Sequence, residues 1–167
     1  MRFEFPNDTR SGTARRGAAP VGFLHELPQV ELAAIVYLRA WCEGEEDRQI
    51  IGKDFRLVMG NSAGDTATDD FDTLMDMLLN NARRPVMRHG LACRCFGGDE
   101  SAFANMVAAA AGQDREDAML FASTLVTGQA AWAIAELAMG LGQVFLRLAS
   151  IPDLEATHNP QHTKYKH

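Results

Sequence analysis

The chain has 167 residues, 47% hydrophobic and 23% charged, and its 16 basic and 22 acidic residues give a net charge of −6. That size suits one soluble domain; the charge excludes a strongly basic nucleic-acid binder, and the apolar content excludes an acidic disordered chain. Aromatic residues make up only 8%, which argues against an all-β domain.

Residues 1–26 read as an irregular arm. Gly12, Gly17, Pro20 and Gly22 punctuate it, and Phe3, Phe5, Phe23 and Leu24 are its sizeable apolar groups. No signal-peptide core is present. Arg10, Arg15 and Arg16 lend residues 10–20 some transit-peptide character, which Glu4 and Asp8 oppose.

Residues 27–150 read as a single helical domain. The first helix is expected over 28–42, with Pro28 in its first turn, where the missing N–H is not needed. Only Gln29, Glu31 and Arg39 interrupt its apolar run, so it belongs at the centre. A second helix, 45–59, opens on Glu45, Glu46 and Asp47, which suit the positive end of the helix dipole, and stops at Gly60 and Asn61. The third is expected from a Thr68 cap to about Asn81, with Phe71, Leu74, Met75, Leu78, Leu79 and Ala82 as a one-sided stripe.

After a connector at 83–98, a fourth helix is expected over 99–111, ended by Gly112. A fifth follows, capped by Asp114, with Leu120, Phe121, Leu125 and Val126 as its apolar surface and Gly128 as its stop. The sixth, 129–149, is apolar nearly all round. Its length would span a bilayer, but Glu136 near its middle, with Gln143 and Arg147, favours a core helix and no membrane insertion. Glu136 then needs a partner, for which Arg39 or Arg147 is expected. Residues 151–167 form a polar tail with Pro152 and Pro160; the latter breaks any helical pairing of His158 with His162. The fold class is all-α, a compact bundle of about six helices with no strand. Alanines and glycines crowd residues 108–111 and 130–142, permitting close helix approach or a subunit contact.

The charge is uneven. Residues 43–82 hold ten acids and three bases, net −7, whereas 83–96 hold four arginines and no acid. Arg83, Arg84, Arg88 and Arg94 are therefore candidates for gathering a carboxylate or phosphate, since guanidinium forks bind such groups bidentately. The competing reading pairs them with the acids of 65–76. Asp99 and Glu100, at the start of the next helix, oppose an anion there.

The same loop holds His89, Cys93 and Cys95 in the spacing H-x3-C-x-C. Imidazole and thiolate are ligands for zinc and other soft metals; a fourth would come from Cys42, His25 or water. The spacing matches no standard zinc signature, and buried structural thiols are the plainer reading. A nucleophilic cysteine lacks an orienting carboxylate and a glycine-rich oxyanion turn, and the chain has no phosphate-loop motif. The cysteines, three and so odd in number, with two of them too close in sequence for an easy bridge, point to reduced thiols and a cytoplasmic protein.

The function expected is therefore non-enzymatic: an intracellular helical protein acting through protein contacts, as a homodimer. The alternative is a ligand-, anion- or metal-binding regulator built on loop 83–96. A helix-turn-helix over 99–126 is disfavoured because Asp114, Glu116 and Asp117 would repel DNA phosphates.

Overall fold

The structure, a computed structural model, describes residues 17–151. The sequence readings for 1–16 and 152–167, including Phe3, Phe5 and the pair His158 and His162, lie outside the described residues. In chain order the elements are β1 (Pro20–Phe23), a 3-10 turn (Leu24–Glu26), α1 (Gln29–Glu43), α2 (Glu45–Met59), α3 (Asn61–Asn80), β2 (Cys95–Gly97), α4 (Gly98–Ala111), α5 (Arg115–Leu125) and α6 (Gly128–Leu148). The fold is a compact all-α bundle, as the periodicity predicts, with one small two-stranded sheet that it does not predict.

α1 is the central rod. Residues 32–41 are all buried, the polar Arg39 among them. A helix without a polar face must be surrounded, and α2, α4 and α6 pack around it. Four helices meet at an aromatic hub. Phe55 of α2 lies 5.7 Å from Tyr37 of α1, 5.6 Å from Phe71 of α3 and 6.3 Å from Phe145 of α6, centroid to centroid. The tilted and edge-on arrangements suit the ring quadrupoles, worth about 0.5–1.5 kcal/mol per pair beyond burial. Trp41 ties α1 to its neighbours as well: its indole N–H donates to Asp72 at 2.6 Å, and the Arg48 guanidinium stacks 3.7 Å over its ring.

Helix α3 starts seven residues before the expected cap. Gly60 turns the chain with φ +84°, as read from sequence, but the helix resumes at once. Thr68 is therefore interior, its hydroxyl donating to Gly64 O at 2.8 Å. Gly64 lets α3 lie against the backbone of Arg56 at this corner; a Cβ there would meet Arg56 Cα at 2.5 Å.

In α5 the Asp114 cap forms as expected, accepting from Asp117 N at 3.0 Å. Leu125 and Val126 are buried as expected and Phe121 is half-buried, but Ala118 and Ala122 share that face and Leu120 points to solvent. The small Ala118 and Ala122 on this face let α5 pack against α4 and α6. Gly128 does not end α5 but begins α6.

Helix α6 is buried on one side only, with Trp132 and Leu146 exposed. It is long and apolar enough to cross a membrane by composition, and half of its most apolar window is buried inside this protein. Ala130, Ala131, Ala135, Ala138 and Gly142 face inward. Glu136 pairs with Arg115 of α5, rather than with Arg39 or Arg147; Arg147 instead reaches Val58 O at 2.9 Å.

The sheet pins the end of the arm. β1 runs antiparallel to β2, so residues 20–23 lie along the connector that precedes α4.

Candidate metal centre

The connector between α3 and α4 is organised by a charge buried in α1. Arg39 is 1% exposed, and a guanidinium so placed must be fully partnered. Its Nε donates to Glu100 Oε1 at 2.6 Å, Nη1 to Cys93 O at 2.7 Å and Gly90 O at 3.2 Å, and Nη2 to Cys95 O at 2.7 Å. One side chain thus fixes the backbone on both sides of the thiol pair.

Glu100, in the first turn of α4, answers from the other end. Its Oε1 also accepts from His89 N at 3.0 Å, its Oε2 accepts from Gly97 N at 2.8 Å, and His89 Nδ1 lies 2.7 Å from Oε2. Burial pushes the Glu100 carboxyl up, but hydrogen bonds from Arg39, His89 and the Gly97 amide, with the Arg39 charge, outweigh it and hold the group below its ordinary range. It is therefore a carboxylate and can only accept, so His89 Nδ1 carries a proton and Nε2 is the ring nitrogen left to face a ligand.

This scaffold gathers His89, Cys93 and Cys95. One ring nitrogen and the two Sγ atoms lie within 4.8 Å of one another, all half-buried. The two sulfurs are 2.7 Å apart. The Cys95 thiol is pushed up, chiefly by its hydrogen bond with Cys93 and then by desolvation. Cys42 and His25, the sequence's candidates for a fourth ligand, are not part of the group. Cys42 is raised by burial, and the His25 ring stacks on Phe23 at 5.8 Å.

The four arginines do not gather at one point. Arg83 donates to Val126 O at 2.8 Å. Arg84 grips Asp99 with both terminal nitrogens, at 2.7 and 2.6 Å. Arg88 reaches Glu43 at 2.9 Å and Cys42 O at 3.3 Å, and Arg94 is exposed. Arg83 and Arg84 share a small cleft of about 160 Å³ with Asp99, Thr124 and Leu125, where the Asp99 carboxylate already fills the Arg84 fork. The acids engaged are Glu43 and Asp99, not those of 65–76. Of the latter, Asp65 pairs with Arg56 and Asp72 with Trp41.

Sequence reasoning named the three side chains that converge here but missed Arg39 and Glu100 as their support. The signal was an arginine inside an otherwise apolar central helix, which demands a buried carboxylate elsewhere in the chain. No family model, curated protein or solved structure matches this chain.

Proposed function

We propose that the protein is a non-enzymatic metal-binding helical domain whose loop 83–96 takes a thiophilic divalent cation, Zn²⁺ foremost, through His89 Nε2 and the thiolates of Cys93 and Cys95. The observation that carries this reading is the convergence of the three donors while His89 Nδ1 is held by the buried Glu100. A carboxylate on the second ring nitrogen is the usual companion of a metal-bound histidine: it fixes the tautomer and raises ligand basicity. Three protein donors leave a fourth position for solvent. Glu100 is committed to Arg39, His89 and Gly97, so it is not free to take a proton from a bound water. That supports a binding role over a hydrolytic one.

Untagged protein with reduced thiols, titrated with Zn²⁺ by calorimetry, tests the reading. One ion per chain is expected, with protons released as the thiols ionise. Cys93→Ser with Cys95→Ser is expected to abolish binding and leave the helical circular dichroism unchanged. Failure to bind Zn²⁺, or undiminished binding by the double variant, refutes it.

Protein contacts remain a second reading, favoured by large apolar side chains left in solvent. Leu57 is 77% exposed, Leu120 60% and Trp132 59%. Homodimerisation of a soluble, cytoplasmic protein through such groups predicts a two-chain mass by light scattering; a strict monomer at high concentration refutes it.

A further inference from the structure

The thiol loop is bound to the N-terminal strand. Phe23 lies opposite Cys95, Gly22 opposite Phe96 and Pro20 opposite Gly97. Leu24 N donates at 2.8 Å to Arg94 O, the carbonyl between the two cysteines, and Asp99 N donates at 3.2 Å to Gly17 O. Little apolar surface supports this segment. Leu24 is buried, but Val21 is 59% exposed and Phe23 52%. A two-stranded ribbon is marginal in water by itself, so residues 17–26 stay docked only while β2 keeps its shape. Arg39 holds that strand through the carbonyls of Cys93 and Cys95.

Resting on the metal reading above, we infer that ion binding at His89, Cys93 and Cys95 clamps the strap 17–26 onto the fold, and that loss of the ion releases it. The ion ties His89 to both thiols across the loop, at the residues whose carbonyls Arg39 already holds. Ligation therefore fixes the strand against which β1 must register. Release uncovers Phe96, now covered by Gly22, and opens the hydrogen-bonding edge of β2. The coupling is reciprocal: the factor by which the ion favours docking is the factor by which docking favours the ion.

Hydrogen exchange of peptides covering 17–26 tests the clamp, on protein stripped with a chelator and on protein holding Zn²⁺ at a hundred times its dissociation constant. If opening and ion loss are one event, the opening equilibrium falls about 100-fold, and slowing of exchange by at least about tenfold supports the inference. Gly97→Ala supplies the reverse test. A Cβ at Gly97 would lie 2.4 Å from Gly17 O, displacing the strap without touching a ligand. The variant is expected to bind Zn²⁺ more weakly by the factor seen in exchange. Stoichiometric Zn²⁺ binding with unchanged exchange at 17–26 overturns the clamp and leaves the site standing. Absence of Zn²⁺ binding overturns both.

Discussion

Arg39→Met removes a guanidinium that makes four hydrogen bonds, one to Glu100 and three to the carbonyls of Gly90, Cys93 and Cys95. Methionine fills much of the volume but leaves the Glu100 carboxylate fully buried without its arginine. Breaking a buried pair from one side typically costs about 3–5 kcal/mol, a large share of the roughly 5–15 kcal/mol that holds a domain together. For a chain of this size the melting temperature should fall by roughly 6–20 °C. Urea titration followed by circular dichroism is the assay, with the midpoint moving and the slope unchanged. Apolar replacement of both partners is often neutral, but Arg39→Met with Glu100→Leu is not expected to recover here. It would still strand three carbonyls on one side and the amides of His89 and Gly97 on the other. A single variant within about 1 kcal/mol of the parent, or a double variant as stable as the parent, would show that this network does not organise the loop.

Two further expectations concern the bundle. Gly142→Val should destabilise by about 1–3 kcal/mol through overpacking, because a Cβ at Gly142 already meets Ala110 O at 2.9 Å; an unchanged urea midpoint would refute the close approach of α4 and α6. Burial, and then the charge of Asp54, which accepts from its hydroxyl at 2.8 Å, push the Tyr37 phenol well above its ordinary range. The folded state thus favours the neutral phenol, so its contribution is complete below the unfolded value near 10 and shrinks as pH rises past it. Stability of the parent relative to Tyr37→Phe should therefore decline above about pH 10; a constant difference across that range would contradict the assignment.

Much of the architecture was legible locally. Helix α2 has the bounds its acidic first turn and Gly60 imply, and α1 differs by one residue at each end. The first turns of α3 were hidden because Asn61, Ser62 and Gly64 are weak helix formers. What settles them is tertiary, the backbone of Arg56 against Gly64. The strands were hidden by brevity, since four and three residues are too few to display a period of two. At the centre, the donors could be read from H-x3-C-x-C. Their support could not, because Arg39 and Glu100 stand 61 positions apart and no short pattern joins them.

The central position of α1 has a consequence during synthesis. Its packing partners α2, α4 and α6 all follow it in the chain. At translation speeds of about 5–20 residues per second, the end of α6 is made roughly 5–20 s after the end of α1. Through that interval α1 has only part of the packing that finally encloses it, and its remaining apolar surface waits on helices still to be made.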